Sequence, residues 1–450
     1  MTEDRSLPGG WTWATIGDLA ADLRYGTSAK TSAEVGDMPV LRMGNLSSSG
    51  ELLLDNLKYL PTHHPDIAQV TLISGDVLFN RTNSIELVGK SAVYRGQIAP
   101  CAFASYLIRV RLASACIPEY LVACLNSPLG KEWVRTVASQ QVGQANINGS
   151  KLKEFGIPLP PLAEQRRIVS EIDSQFTMLR AAVGNLESCL QRLRVYRNAV
   201  LRAAFAGVAG GDSVPLGDLG DVVGGVTKGQ NRSASSIVRS VPYLRVANVQ
   251  RGYLDLHDVR LIDATDAEVE RLALKPGDVL LNEGGDRDKL GRGWIWRGEL
   301  PLCVHQNHVF RVRLKPGTAL PEFISWYANS VGQQYFFQEG KHTTNLASIS
   351  LTKLRAFPVP RLPVPAQQRV ILELERRLSV SDSLARVLQM NARRAERLRQ
   401  AILKRAIEGR LVAQDPRELC SRLGLLKRVS QAELGANVGH LASHTHLGSK

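Results

Sequence analysis

Two kinds of apolar pattern alternate along the chain, and each kind occurs twice. Short apolar runs bounded by Gly, Pro, Asn and Ser fill the first region and are typical of strands. They predict strands at 39–43, 76–80, 92–94 and 106–112, a short helix at 118–126 and a polar loop at 140–150. A matching region runs from Pro215 to Phe357. Both regions are therefore predicted to be α+β domains of roughly 150 residues.

A long segment with apolar residues at heptad spacing follows each region, and this spacing predicts coiled-coil helices. About 45 residues at 1.5 Å each would give a helix of roughly 65 Å. Two such helices pair most simply in an antiparallel arrangement, although packing of each amphipathic helix on its own domain stays an alternative. The polar Asn391 is expected to fix the register of this seam. The seam residues are Ile172, Phe176, Leu179, Val183, Leu186, Leu190 and Leu193 in the first segment and Leu374, Leu378, Leu388, Asn391, Ala395, Leu398 and Ile402 in the second.

Proline-rich connectors separate the domains from the helices. Residues 157–161 and 357–365 contain too many prolines for a helix or a central strand, so both are predicted to be stiff and extended. The predicted boundaries are 1–156 for the first domain, 157–210 for connector and helix, 211–357 for the second domain, 358–412 for the second connector and helix, and 413–450 for a tail.

The order of these elements is duplicated. Ile16–Leu19 returns as Leu216–Leu219, 200 positions later, and Pro39 returns as Pro242, 203 positions later. Such a period is far longer than that of a solenoid repeat. The predicted fold class is α+β, with two tandem α/β domains separated by two long helices that form an antiparallel coiled coil, in a pseudo-twofold arrangement.

The charge balance adds that the two-domain chain is strongly basic. There are 56 basic and 42 acidic side chains, which gives a net charge of +14 and a pI near 9.7. This balance favours a polyanionic partner, with double-stranded DNA ahead of a membrane surface, although a merely basic protein stays an alternative. The six cysteines form no CxxC pair, and no leader or spanning segment is found, so reduced, buried thiols and a cytoplasmic location are expected.

Apparent catalytic motifs do not survive inspection. The segment 84–91 ends like a phosphate-binding loop, but Ser84 replaces the first glycine and the residues that follow read as a strand. Cys303, His305 and His308 lack a fourth metal ligand at suitable spacing. No methyltransferase or nuclease signature is present. We therefore expect no catalytic residues, no metal and no cofactor in this chain, and interpret it as a binder that directs chemistry performed elsewhere.

Readout of DNA needs side-chain donors and acceptors on loops that project from a rigid scaffold. We call the candidate residues readers. In the first domain the predicted readers are Tyr25, Thr27, Ser28, Lys30, Arg42, Asn45, Asn80, Arg81, Asn83, Ser84 and Lys90. In the second domain they are Thr227, Lys228, Gln230, Arg245, Asn248, Asn282, Arg287, Lys289, Arg292, Gln306 and Asn307. Corresponding loops differ in sequence, as Asn80–Asn83 and Asn282–Gly285 show. The two domains are therefore expected to read different DNA sequences.

Several motifs resemble those of the specificity subunits of Type I restriction-modification systems. They lie at 7–11, 144–152, 157–165, 201–207 and 408–416, and the likeness extends over residues 7–416. The resemblance implies two target-recognition domains that each read one half of a split DNA sequence, and helices that dock methyltransferase subunits, expected to be two. It also implies restriction subunits, with S-adenosylmethionine, ATP and Mg held by these partners. The second connector departs from the first at 363–368, which is expected to alter an angle and not the role.

Other functional readings stay open at this point. The chain could serve a methylation-only system, or a differently organised restriction system without a motor and nuclease partner. A coiled-coil scaffold with an incidental basic surface is a second class. A self-contained nuclease is a third class, and it would require cleavage by the purified protein with a divalent metal.

Overall fold

The computed structural model describes residues 7–33, 38–61, 64–141, 144–208, 210–227, 229, 237–285, 290–342, 347–415 and 417. Tertiary contacts divide the chain into two compact units. Unit 1 contains the described residues of Met1–Asn185 and Asn391–Lys450, and unit 2 contains those of Leu186–Met390. Each unit therefore combines one predicted domain with parts of both long helices.

Unit 1 is built from twelve short strands among its described residues. They are β1 (Thr12–Thr15), β2 (Ala20–Tyr25), β3 (Met38–Leu41), β4 (Lys58–Leu60), β5 (Val77–Asn80), β6 (Thr82–Asn83), β7 (Ser91–Val93), β8 (Ala102–Phe103), β9 (Leu107–Leu112), β10 (Ser139–Gln141), β11 (Gln144–Asn146) and β12 (Gly156–Leu159). Its helices are α1 (Ile16–Leu19), α2 (Ile67–Val70), α3 (Pro118–Asn126), α4 (Pro128–Val137) and α5 (Gly149–Lys153), followed by the long α6 (Leu162–Ala206). A 3-10 turn lies between α1 and α2, at Met43–Asn45.

The central sheet of unit 1 has the strand order β2-β9-β5-β7 and is antiparallel. A second sheet, β4-β3-β8, contains one parallel pair, and β10-β11-β6 and β1-β12 complete the unit. Helix α3 begins at Pro118, where the missing N–H costs nothing in a first turn. It buries Tyr120, Leu121 and Cys124 in the same apolar core as Val77 and Phe79 of the central sheet.

Most predicted elements of this unit are confirmed, but the polar loop at 140–150 is wrong. Ser139–Gln141 and Gln144–Asn146 form the antiparallel strands β10 and β11, and α5 begins at Gly149. This strand pair is held by pairing of Ala145 and Asn146 with β6, which lies 62 or more positions earlier in the chain. A polar segment stabilised by such distant pairing carries no local apolar alternation, so the sequence pattern did not reveal it.

Unit 2 contains fourteen strands among its described residues. They are β13 (Ser213–Pro215), β14 (Gly220–Val223), β15 (Val238–Leu244), β16 (Val249–Gln250), β17 (Tyr253–Leu254), β18 (Arg260–Thr265), β19 (Val279–Asn282), β20 (Gly284–Gly285), β21 (Gly293–Ile295), β22 (Val304–His305), β23 (Val309–Leu314), β24 (Lys341–His342), β25 (Ala347–Ser348) and β26 (Pro358–Pro360). Its helices are α7 (Leu216–Leu219), α8 (Asp266–Leu272), α9 (Pro321–Ala328), α10 (Gly332–Glu339), α11 (Leu351–Arg355) and the long α12 (Val364–Ile407).

The strand orders of unit 2 repeat those of unit 1. The sheet β14-β23-β19-β21 matches β2-β9-β5-β7, and β18-β15-β22 matches β4-β3-β8 with its parallel pair in the same place. The small sheets β20-β25-β24 and β13-β26 correspond to β6-β11-β10 and β1-β12, while the hairpin β16-β17 is an addition. The predicted duplication of one α+β domain is thereby confirmed.

The proline connectors run as strands of two-stranded sheets, where a missing N–H is tolerated. In unit 1, β12 pairs with β1, and in unit 2, β26 pairs with β13. Buried Gln165, just inside α6, accepts a hydrogen bond from the N–H of Ile117 at 2.8 Å and donates to the carbonyl of Pro160. Gln367 makes the matching bonds to Leu320 and Leu362. The altered second connector therefore keeps this arrangement.

The long helices α6 and α12 each run through both units. Within unit 1, the early residues Ile172 and Phe176 of α6 share an apolar core with the late residue Leu403 of α12. Within unit 2, the late residue Phe205 of α6 shares a core with the early residue Leu374 of α12. Early residues of one helix thus meet late residues of the other, which is the antiparallel arrangement predicted from the heptads.

The register of α12 corrects one detail of the predicted seam. Asn391 is exposed, and the polar residue that lies in the seam is Ser381, which is only 2% exposed. The buried and half-buried positions run through Leu378, Ser381, Ala385 and Leu388. The prediction passed over Ser381 and Ala385 because neither is strongly apolar, and the heptad phase then slipped by one residue.

The cysteines also differ in part from expectation. Cys101, Cys116, Cys124 and Cys303 are buried and free, as predicted, but Cys189 is exposed on α6. Cys420 lies outside the described residues. Among the described residues, no helix combines the length and apolar character that crossing a membrane requires.

Candidate nucleic-acid interface

The loop that follows β3 is held by an asparagine that was predicted to read DNA. The side-chain oxygen of buried Asn45 accepts a hydrogen bond from the backbone N–H of Arg42 at 2.9 Å. Its amide donates to the carbonyls of Leu53 and Asp55 at 2.8 and 3.1 Å. Asn45 therefore shapes the loop from inside. The guanidinium of Arg42 lies over the same loop and donates to the carbonyl of Asn56 at 2.9 Å.

Unit 2 repeats this loop frame, in which a buried asparagine accepts one hydrogen bond from the loop backbone and donates two to it. Asn248 accepts from the N–H of Arg245 at 2.9 Å and donates to the carbonyls of Asp255 and Asp258 at 2.8 and 3.1 Å. The arginines differ in their partners, because Arg245 donates to the same Asp258 carbonyl as Asn248 and also to the Asp258 carboxylate, both at 2.8 Å. The Arg245 hydrogen bond holds the pKa of that carboxyl below its usual value. Arg245 is thus partly neutralised where Arg42 is not paired with a carboxylate among the described residues.

A second pair of predicted readers is buried at the end of the central sheets. Asn80 and Asn282 are both 0% exposed, and each donates from its amide to a backbone carbonyl, that of Leu87 at 3.1 Å or that of Val249 at 2.9 Å. Thr27 is buried as well and donates to Asp66 at 2.6 Å. Five predicted readers therefore lie inside the protein, where each donates a side-chain hydrogen bond to a protein acceptor: Thr27, Asn45, Asn80, Asn248 and Asn282.

Asn80 and Asn282 still determine where a predicted basic reader lies. The N–H of Asn80 donates to the carbonyl of Lys90 at 2.8 Å, and the N–H of Asn282 donates to the carbonyl of Arg292 at 2.9 Å. Lys90 and Arg292 are half-buried at equivalent positions, and the guanidinium of Arg292 lies 3.4 Å from the carbonyl of Val246.

A cleft of about 550 Å³ brings three predicted readers of unit 1 together. Arg42, Asn83 and Lys90 line it, so donors from three separate segments converge on one concave surface. Eight further residues of its lining were not predicted: Met43, Gly44, Leu46, Ser47, Ser48, Leu53, Leu87 and Tyr106. Two basic side chains, hydroxyls and an aromatic ring form a surface suited to a phosphate or a base edge.

Arg81 lies beside this cleft and is supported by another predicted residue. Its guanidinium carbon is 4.9 Å from the centre of the Tyr25 ring, a cation–π arrangement. The Tyr25 hydroxyl in turn accepts a hydrogen bond from the N–H of Gly149 at 2.6 Å, which fixes the ring. Arg81 is therefore held in one orientation. Ser28 and Lys30 are exposed on a neighbouring loop, and Ser84 follows Asn83 in a turn.

The remaining predicted readers of unit 2 divide into two groups. Thr227 is exposed, while Gln306 and Asn307 are half-buried, with their backbone N–H groups bonded to Leu244 and Val226. The other four lie outside the described residues: Lys228, Gln230, Arg287 and Lys289.

Two buried ion pairs stiffen the sheets that carry these loops. Arg111 holds Asp76 through two hydrogen bonds of 2.7 and 2.8 Å, and Arg313 holds Asp278 through two of 2.8 and 2.7 Å. The bond to Asp76 raises the pKa of Arg111, and the bond to Asp278 raises the pKa of Arg313. Bidentate geometry fixes both partners, so each sheet presents its loops from a rigid base.

One of the buried differences between the parallel strand pairs of the two units introduces a titratable side chain. Phe103 pairs with Leu41 in unit 1, and His305 pairs with Leu244 in unit 2. The Nδ1 of His305 is 2.6 Å from the carbonyl of Val309, and burial lowers the pKa of the imidazole to about 4. A neutral histidine therefore takes the place of a phenyl ring.

The described residues offer little for catalysis. They contain no group of three metal-ligating side chains placed to hold an ion. His308 pairs with Glu283, with 2.6 Å between Nδ1 and Oε2. Burial raises the pKa of Cys101 and of Cys303 to about 12, which removes both thiols as nucleophiles near neutral pH. The segment after 84–90 is strand β7, as predicted, and not the helix of a phosphate-binding loop.

Glu283 is a candidate functional residue that was not predicted from the sequence, and His308, weighed there as a metal ligand, is its partner. Each corresponds, 202 positions later, to a residue of the unit 1 surface, namely Arg81 and Tyr106. The regular spacing of the duplication was the signal that could have found them. Basic, amide and hydroxyl side chains are the common DNA-contacting groups, so residue type alone does not mark a carboxylate as one.

The family described as Type I restriction modification DNA specificity domain matches residues 8–179. The chain is 25% identical over 434 residues to the specificity subunit of the Type I restriction enzyme StySPI of Salmonella potsdam, covering 91% of this chain and 90% of the relative. It is 24% identical over 439 residues to the EcoKI specificity subunit of Escherichia coli, with coverage of 91% and 90%.

Two solved structures share the fold. A chain in a structure of a type I R-M system, described for its complex assembly and conformational transition, has a TM-score of 0.68 at 19% identity, covering 90% of this chain and all of that one. The HsdS subunit of Thermoanaerobacter tengcongensis has a TM-score of 0.52 at 18% identity, with coverage of 91% and 100%. These similarities cover about nine-tenths of this chain and so extend beyond the first unit.

Proposed function

The chain belongs to the specificity subunits of Type I restriction-modification systems, and from this premise we propose that it selects an asymmetric, bipartite DNA sequence. Each unit reads one half-site. The observation that carries the proposal is the pair of equivalent loop frames, Asn45 with Arg42 and Asn248 with Arg245, in two units whose neighbouring surface residues differ, as Arg81 and Glu283 do. A repeated frame gives two reading surfaces, and divergent side chains give two different half-sites.

The reading surface of unit 1 is the cleft lined by Arg42, Asn83 and Lys90, together with Arg81 on its Tyr25 support. Arginine and lysine donate to guanine O6 and N7 or to phosphate, and asparagine matches adenine. In unit 2, Arg292 occupies the position of Lys90. A net charge of +14 favours approach to the phosphate backbone before any base is read.

The two long helices are proposed to dock two methyltransferase subunits. Part of α12 within unit 2 exposes an apolar stripe that a monomeric protein would normally bury: Leu372, Val380, Leu384, Val387 and Met390. Such a stripe suits the apolar face of a partner helix. The methyltransferase brings S-adenosylmethionine, and restriction subunits bring ATP and Mg, so this cytoplasmic chain itself performs no chemistry.

The length of the helices is proposed to set the spacer between the half-sites. Removing one heptad from each of α6 and α12 shortens each helix by roughly 10 Å, which corresponds to about three base pairs. We expect the preferred spacer of the resulting complex to shorten accordingly. A variant with an unchanged spacer would contradict this part of the proposal.

DNA binding by the chain with its methyltransferase tests the proposal as a whole. The complex should bind a duplex that carries the bipartite site far more tightly than a scrambled duplex, with an affinity that falls steeply as salt rises. Equal affinity for both duplexes would contradict sequence selection and favour an incidental basic scaffold. Cleavage by the purified chain with Mg²⁺ alone would contradict the non-catalytic role.

A further inference from the structure

Arg81 and Glu283 occupy the same backbone position in the two units. The N–H of Arg81 donates to the carbonyl of Tyr106 at 3.0 Å, and its carbonyl accepts from the N–H of Ile147 at 2.9 Å. The N–H of Glu283 donates to the carbonyl of His308 at 2.9 Å, and its carbonyl accepts from Ile349 at 2.8 Å. The two side chains therefore leave equivalent points of equivalent frames.

The support beneath each side chain has changed together with it. Tyr25, whose ring supports Arg81, precedes Gly26, and the corresponding glycine in unit 2 is Gly225, which Gly224 precedes. Gly26 and Gly225 are equivalent, because a Cβ at either would lie within 2.2 Å of a carbonyl oxygen of the neighbouring β8 or β22 strand. Unit 2 thus lacks the ring at this position.

Glu283 instead has a histidine as its support. Its Oε2 lies 2.6 Å from Nδ1 of His308, and the side chains are 27% and 55% exposed. His308 is the counterpart of Tyr106, which lines the cleft of unit 1. The pair therefore lies on the surface that corresponds to the proposed reading surface.

A carboxylate on this surface cannot serve the phosphate backbone, because two negative charges repel each other. It offers only hydrogen-bond acceptors, and the base edges that present a donor in the major groove are the amino groups of cytosine and adenine. Among these, carboxylates pair characteristically with N4 of cytosine, as arginine pairs with guanine. The exchange of Arg81 for Glu283 thus replaces a donor by an acceptor at one point of the frame.

We propose that Glu283 is a specificity-determining residue that accepts a hydrogen bond from the amino group of a cytosine in the second half-site. His308 is its positioning residue, since it holds one carboxylate oxygen and leaves the other for the base. The inference rests on the proposed function, because it requires that unit 2 reads DNA.

The test uses the complete chain with its methyltransferase and a DNA library randomised in both half-sites, with methylation as the readout. Glu283→Gln should reduce the preference for cytosine at one position of the second half-site by on the order of 5- to 150-fold, the usual cost of one mismatched base pair. His308→Ala should reduce the same preference less, and His308→Gln should restore part of it through its amide donor. The first half-site should not change.

Glu322→Gln is the matched control, because Glu322 is 28% exposed and pairs with Arg297, which is 57% exposed, in the same unit. It should leave every position unchanged. An unchanged preference in both Glu283→Gln and His308→Ala would overturn the inference, as would an equal loss at all positions. If Glu283→Gln fails to fold, the two His308 variants decide by the same criterion. Absence of any sequence preference in the unsubstituted complex would instead contradict the proposed function.

Discussion

The two units share their internal hydrogen bonds and differ in the side chains that those bonds present. Asn45 and Asn248 hold equivalent loops, and Asp76 and Asp278 each accept two hydrogen bonds from the equivalent arginine of their own unit. At the surface, by contrast, Arg81, supported by a tyrosine ring, is replaced at the equivalent position by Glu283, supported by a histidine. A frame fixed by buried polar contacts can therefore carry a donor or an acceptor without being rebuilt, and readout can change independently of folding.

The largest expected effect is the loss of stability of one unit when its buried ion pair is removed. Asp76 and Asp278 are buried, whereas their arginines are about one-third exposed, so the loss is expected near the lower end for a broken buried pair, about 3 kcal/mol. Asp76→Ala should destabilise unit 1 and Asp278→Ala should destabilise unit 2, as measured by amide hydrogen exchange. The exposed pair of Arg239 with Asp266 supplies a control, since Asp266→Asn should change little.

Truncation of one reader in each unit shows which half-site that unit binds. Arg81→Ala should weaken binding to one half-site and Arg292→Ala to the other, each by about 1–3 kcal/mol if the arginine is bidentate to guanine. Footprinting on DNA with one mutated half-site at a time measures each contribution. Arg376→Ala on the exposed side of α12 should affect neither half. An effect of both substitutions on the same half would contradict the assignment of one half-site to each unit.

Acid should destabilise one unit more than the other through the exchange of Phe103 for His305. The pKa of His305 is about 4 in the folded protein because of burial, below its ordinary value of 6.5. The unfolded chain therefore binds the proton more readily, and this contribution to stability is complete above pH 6.5 and is lost as the pH falls toward 4. At pH 5 the loss should be about 2 kcal/mol.

Hydrogen exchange at pH 7 and pH 5, corrected for the intrinsic rate, measures this difference. The expected result is a selective loss of protection around β15 and β22. The variant His305→Phe should remove the selective loss, because it installs the residue type of unit 1. Equal loss in both units, or a selective loss that persists in His305→Phe, would contradict the explanation.

The smallest expected effect concerns the helices. Ser381 is buried in the seam of α12, and its hydroxyl has no hydrogen-bond partner among the described residues, whereas the corresponding residue of α6 is Leu179. Ser381→Ala should stabilise the helix pair by about 1 kcal/mol, because it removes an unsatisfied polar group and improves helix propensity. Urea unfolding followed at the helices measures this gain. A loss of stability would show that the hydroxyl is bonded in solution.

The sequence predicted the parts of the fold that local pattern specifies. The strands around Val77 and Leu107, the helix at Pro118–Asn126 and the long helices all follow from apolar spacing and from proline positions. The pairing of β10 with β11 did not, because its stability comes from pairing with β6. The heptad phase near Ser381 was lost for a related reason, since small residues give weak signals.

The candidate site was predicted less completely, and the asparagines show why. Side-chain type indicates that Asn45 and Asn80 can form several hydrogen bonds, but only the fold determines whether the partner is a base or a backbone carbonyl. Three of the predicted readers, Arg42, Asn83 and Lys90, line one cleft. Glu283 was missed because a carboxylate gains a reading role only from its place in the frame.

The most direct test of the central claim is a genome-wide map of methylated adenines in cells that carry this chain and its methyltransferase, compared with cells that lack the chain. Two shared frames with different readers predict methylation at a bipartite site, with two unlike half-sites at one fixed spacing. Two identical half-sites, or a single continuous site, would contradict the claim that the units keep one frame and read different sequences.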